Sequence, residues 1–162
     1  MIRLPLIFLV VALAGWTVGG DAATTESVSK DAVLAAIVIF EKDPSSKEGF
    51  AAASTIMSFA KKNGAVHLSL SKAVVPWFKG GDASDADTRS MLLTAYVSGN
   101  IRSQLQSGKA EDDIYAGWQQ VFLTYDQLHQ INPTVKLPEI DALKDKEKAG
   151  TLRAFAATLQ SK

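Results

Sequence analysis

The chain has 162 residues, no cysteine, and 17 basic against 17 acidic side chains, with a pI near 6.7. Without cysteine there is no disulfide, no thiolate metal site and no thiol catalysis. Balanced charge with no basic stripe lacks the electrostatic footprint of a nucleic-acid binder.

The chain opens MIRLPLIFLVVALAGWTVGGDAATTES. Arg3 is followed by an apolar run from Leu4 to Val18, then by the small residues Gly19, Gly20, Ala22 and Ala23. That order is the pattern of a secretory signal peptide, with cleavage expected after Ala22 and Gly20 at the −3 position. The run of 15 residues is shorter than the roughly 20 that a membrane-crossing helix needs. No Cys follows it to carry a lipid anchor. The expected organisation is a signal peptide at 1–22, a flexible N-terminal segment at 23–30 and a single α-helical domain at 31–162. Removing 22 residues leaves 140, enough for one core. The mature protein is then expected in the periplasm or outside the cell, with no stable membrane span.

Residues 31–42, DAVLAAIVIFEK, form an apolar run bounded by charge, whose length and alanines predict a buried helix. Pro44 disfavours helix at Asp43, and Ser45 with Glu48 has capping-box spacing. The next helix is expected to run to about Lys62 and stop on a left-handed Asn63-Gly64. A turn this short predicts an antiparallel pair.

From Gly64 to about 83 the helical pattern lapses. Val66, Leu68 and Leu70 alternate with His67, Ser69 and Ser71, which predicts a short extended piece with His67 on its polar side. Pro76 then precedes Trp77 and Phe78, and Gly80-Gly81 follows. Two readings of Trp77 and Phe78 compete. As a plug they cover the end of a bundle, because wetting two aromatics forfeits several kcal/mol at about 25 cal/mol per Å2. As a recognition corner they anchor a partner. The plug is the expected arrangement, and this corner is the candidate partner-binding surface if the aromatics face outward.

Ser84 and Asp87 again have capping-box spacing, opening a helix expected to reach Gly108. Met91–Val97 is apolar nearly all round, as in a helix surrounded by others. Leu92, Ala95, Gly99 and Ser103 trace a mostly small-residue line, predicting close approach of a neighbouring backbone at Gly99. In the next helix Ile114, Trp118, Val121, Phe122, Tyr125 and Leu128 recur at helical spacing. Glu111, Asp112 and Asp113 are expected in its first turn, and Asn132-Pro133 ends it. After an extended TVKLP connector, Pro138 suits the first turn of a helix over 138–146. A last helix is expected over roughly 148–160, with Leu152, Phe155, Ala156 and Leu159 inward.

The expected fold is thus all-α: a compact bundle of five to six helices in antiparallel hairpins, with one short non-helical insert around residues 64–83. Its Pro-closed turns, EKDPSS and HQINPT, resemble those of tetratricopeptide hairpins. No repeat period runs through the chain, so the resemblance implies nothing further.

The chemistry-bearing side chains form no motif. His129 lies one turn beyond Tyr125, with Asp126 offset from it, and reads as a core-edge histidine. Two distant histidines without cysteine fall short of the three or four ligands that a zinc site needs. Ser69 and Lys72 have Ser-x-x-Lys spacing, but S-D-N and K-T-G are absent. Asp82, Asp85 and Asp87 fail the calcium-loop pattern, which requires Gly at Asp87 and Glu at Leu93; they read as helix caps. Neither a catalytic residue nor a cofactor is assigned. The expected function is a non-enzymatic interaction module for an unidentified protein partner or small ligand. The first alternative is a small-molecule binder with a pocket lined by Trp118, Phe122, Tyr125 and His129. The second is a hydrolase using Asp or Glu alone.

Overall fold

The computed structural model describes residues 28–62, 64–78 and 86–160. The expected signal peptide and most of segment 23–30 lie outside these residues, as do Asn63, Gly80, Gly81, Asp82, Ser84 and Asp85. Six α-helices and no strand occur among the described residues: α1 (Lys30–Lys42), α2 (Lys47–Lys62), α3 (Ala86–Ser107), α4 (Ile114–Ile131), α5 (Pro138–Lys148) and α6 (Leu152–Gln160). Among the described residues between α2 and α3 there is one 3-10 turn, Pro76–Phe78. None of the described helices is long and apolar enough to cross a membrane.

Local chemistry sets the boundaries, in places one step from where the sequence pattern puts them. Ser29, in the expected flexible segment, already caps α1 by accepting from the Ala32 N–H at 3.1 Å. The cap of α2 is Ser46, not Ser45: Asp43 folds back to accept the N–H groups of Ser45 and Ser46. The helix therefore starts one residue later, with Ser46 Oγ accepting from the Gly49 N–H at 3.0 Å. Gly64 does not take the left-handed conformation expected of it. Glu111–Asp113 precede α4 rather than occupying its first turn, because Asp113 is the cap, accepting from the Ala116 N–H at 3.0 Å. The break between the last two helices falls at Gly150, φ 69°, where Thr151 N–H reaches back to Lys146 O at 2.9 Å. That extends α5 two residues beyond the expected end.

Two pairs organise the bundle. In the first, α1 and α2 form a hairpin joined by four residues, with Val33, Ile37, Phe40, Ile56 and Phe59 turned to the core. The expectation of a buried α1 holds on one side only, since Val38 is 61% and Ile39 47% exposed. In the second, α3 and α4 pack along a seam where Gly99 and Gly117 face each other's helices. A Cβ on Gly99 would sit 2.5 Å from Ala116 O, and one on Gly117 would sit 2.5 Å from the Tyr96 ring. Both helices supply buried residues through most of their length, and α6 closes over α4 by stacking Phe155 on Trp118 at 5.7 Å. The Ile140 and Leu143 side chains of α5 complete the core.

Candidate functional site

The insert is held by side chains rather than by a sheet. His67 N–H donates to Gln104 Oε1 at 2.9 Å, and Gln104 Nε2 donates to His67 O at 2.6 Å. Ser69 N–H donates to Asp112 Oδ2 at 3.1 Å, while Asn100 Nδ2 and the Tyr96 hydroxyl converge on Asp112 Oδ1. Burial pushes the Asp112 carboxyl above its usual range, against the pull of the Asn100, Ser69 and Tyr96 donors, with Asp113 nearby adding to the rise. The Tyr96 hydroxyl is driven up in turn, by burial first and by Asp112 second.

Asp112→Ala is expected to cost about 2 kcal/mol, because three donors lose their common acceptor where water reaches only part of the site. The sign of its pH dependence follows from the raised carboxyl. Its titration contributes stability that is complete below the ordinary aspartate value, about 3.9, and lost as pH climbs through the raised value. The gap between wild type and variant should therefore widen as pH falls from 7 toward 4, which urea unfolding at both ends would measure.

The sequence-selected residues fall into three environments. Trp77 is fully buried, edge-on to Tyr96 at 6.5 Å, with Arg89 donating to its carbonyl, whereas Phe78 beside it is 44% exposed. Trp118, Phe122 and Tyr125 belong to the packed core, and two of them are tied to a neighbour. The Trp118 Nε1–H donates to Val74 O at 2.8 Å, and the Tyr125 hydroxyl accepts from the Leu137 N–H at 3.0 Å. His129 is exposed, its Nδ1 3.0 Å from Val135 O, and Asp126 pairs with Lys144 instead. His67 and Asp87 are exposed. No group of three or more His, Asp or Glu side chains suited to a metal ion occurs among the described residues.

A different surface has the character of a site. Along the outer side of the α3–α4 seam run two adjoining clefts of about 360 Å3 each, which share Arg102, Gln120 and Leu123. The floor exists because Gly99 and Ala116 bring the two backbones together. Gln120 is only 7% exposed and lines both clefts, yet no hydrogen bond engages its amide among the described residues. Two more glutamines of α4 present unused groups: Gln119 Nε2 in the first cleft and Gln127 Oε1 in the second, both buried without partners. Gln127 Nε2 meanwhile donates to Glu41 O at 2.9 Å, which fixes that side chain.

The charges around this groove are already engaged. Arg102 forms a two-pronged pair with Glu41, both contacts at 2.6 Å. Arg153 lies 3.9 Å over the Tyr115 ring, whose hydroxyl donates to Glu147 at 3.0 Å. Asp113 caps α4 through one oxygen and accepts from Ser103 at 2.5 Å through the other. What is left free is a set of neutral carboxamides and the exposed side chain of Leu123.

Sequence reading missed this groove. Glutamine has no helical period of its own, and the pairs that quiet the charges, such as Arg102 with Glu41, join residues far apart in the chain. Its one legible sign was Gly99. Comparison with known proteins finds no family model that matches the chain, no similar curated protein and no similar solved structure.

Proposed function

We propose that the chain is an exported, non-enzymatic binding module that holds an extended, uncharged peptide segment of a protein partner in the α3–α4 groove. The observation that carries this reading is the row of α4 carboxamides in two joined clefts: Gln119 Nε2 and Gln127 Oε1 are buried without partners, and Gln120 lies between them, lining both clefts. Burying such a group without a partner costs on the order of 1–3 kcal/mol, a cost that a ligand able to donate to Gln127 and accept from Gln119 would recover.

Carboxamides offer a donor and an acceptor together, the complement of a peptide main chain. The engaged charges argue against an ionic ligand. A sugar would call for a free aromatic face, but the Tyr115 ring is covered by Arg153, and the side chain offered midway is the aliphatic Leu123. Binding is favoured over hydrolysis because both oxygens of Asp112 and both of Asp113 are already used as acceptors within the fold. Export rests on the basic start, apolar run and small residues of 1–22.

Gln120→Leu tests the reading without dismantling the fold, since it removes no hydrogen bond made within the protein. Peptides selected from a random display library should be neutral in sequence. Their affinity, measured by titration calorimetry, should fall at least tenfold in Gln120→Leu while the melting temperature holds. Selection of charged peptides only, or an affinity that the substitution leaves unmoved, would refute the groove as the binding surface.

A further inference from the structure

The α1–α2 hairpin carries an apolar trough on its outer side, independent of the α3–α4 groove. Its volume is about 440 Å3, and alanines form most of its walls: Ala32 and Ala35 from α1, Ala51 and Ala52 from α2. The one large apolar side chain lining it is Ile39, which stands 47% exposed at its edge. A projecting knob beside a hollow of small residues is a self-complementary shape.

The charges at the ends of the trough point the same way. Asp31, Ala35, Ile39 and Lys42 share one face of α1 at helical spacing, as do Glu48, Ala51, Thr55 and Lys62 on α2. Lys42 and Glu48 therefore mark the turn end of the face, and Asp31 and Lys62 its open end. All four are exposed, and none forms an ion pair among the described residues. The face is neutral as a whole, with one acid and one base at each end.

We infer that this face docks a second copy of the chain, the two hairpins meeting trough to trough about a two-fold axis. Two such axes in the face stack the hairpins in line with one another. An axis along the hairpin sets α1 over α2 of the second copy, so that Lys42 meets Glu48 and Asp31 meets Lys62. The axis across the hairpin sets α1 antiparallel to its equivalent, so that Asp31 meets Lys42 and Glu48 meets Lys62. Under either symmetry every acid meets a base, and Ile39 enters the alanine trough opposite. A two-fold interface is isologous, so this self-complementarity is the condition for it to close.

The test is mass against concentration by light scattering or sedimentation equilibrium, with the gene expressed in full so that the cell's own processing is kept. A weak self-association, with a Kd on the order of micromolar, should bring the mass close to that of two chains by about 100 μM. Ile39→Glu should raise the Kd at least tenfold and leave the circular dichroism and melting temperature in place, because half of Ile39 is already in water. Lys42→Glu should weaken the dimer too, with Glu48→Lys restoring it if the axis runs along the hairpin and Asp31→Lys restoring it if the axis runs across. A monomer at every concentration overturns the proposal, as does a dimer that ignores Ile39→Glu or a Lys42→Glu defect that neither second change repairs. Peptide binding in the groove is read on a different face, so either result leaves the other standing.

Discussion

Trp77→Ala is expected to destabilise the fold by about 3–5 kcal/mol, the range for removing a large buried aromatic. For a domain of this size that lowers the melting temperature by roughly 10–15 °C. The reason is local. Trp77 is fully enclosed and meets Tyr96 edge-on, so loss of its ring opens a cavity beside α3. Its indole N–H is buried without a partner, so the stabilisation comes from the ring's area rather than its polar end. Trp77→Phe, which deletes that orphan donor, should cost less than about 2 kcal/mol. Phe78→Ala, at a half-exposed neighbour, should cost under about 1 kcal/mol. Urea unfolding of the three variants separates a plug at Trp77 from an aromatic held out for a partner; comparable small losses at Trp77 and Phe78 would defeat the plug.

Gly99→Ala should be nearly as severe, at about 2–3 kcal/mol, although alanine is the better helix former. Two effects oppose each other. Helix propensity returns about 1 kcal/mol. Against it, the new methyl would lie 2.5 Å from Ala116 O and 2.8 Å from Gln120 Cβ, and the first of these is backbone that yields only if α3 and α4 separate. Overpacking of this kind costs roughly 1–3 kcal/mol and more where rigid helices must part, so the clash wins. Gly64→Ala is the matching control: nothing lies within 4 Å of its added methyl and its φ is not positive. That substitution should be neutral or gain a few tenths of a kcal/mol. Thermal melts of the pair compare the same chemical change with and without a neighbour. Because the Gly99 contact also sets the depth of the α3–α4 groove, the first variant should lose peptide binding along with stability.

The helices could be read from residue pattern alone because their buried faces repeat. Ile114, Trp118, Val121, Phe122, Tyr125 and Leu128 fall on one side of α4 whatever surrounds it, and all six are buried. Gly99 was legible because a glycine inside a helix demands a reason. Its counterpart Gly117 is hidden in the sequence by Trp118, whose bulk dominates the local pattern. Three consecutive acids, Glu111, Asp112 and Asp113, look alike in the sequence and do different work. The first faces solvent, the second turns inward to gather donors from α3 and the insert, and the third caps α4. No local rule separates them, because the choice is made by Asn100 and Ser69, both distant in the chain. The apolar run of α1 misled for the opposite reason. An unbroken apolar run reads as a buried helix, yet Val38 and Ile39 face outward.

The groove was invisible for a related cause. Its chemistry lies in what glutamines leave undone, and an unused amide can be recognised only once every neighbour's commitments are known. The same three-dimensional accounting shows that Trp118, Phe122 and Tyr125, an aromatic set in one dimension, are core residues, with Trp118 held by Phe155 and Val74 and Tyr125 by Leu137.

The way Gln104 grips His67 has a consequence for how the chain behaves in a crowded compartment. A stretched segment rich in Val and Leu displays the amide and carbonyl by which one chain zips to another, and proteins ordinarily hide such ribbons inside sheets. Here a single carboxamide stands in for the missing neighbour, offering one oxygen and one NH2 to the same residue. The protein can thereby keep a sheet-competent ribbon on a wholly helical scaffold and still deny it a template for fibrous association.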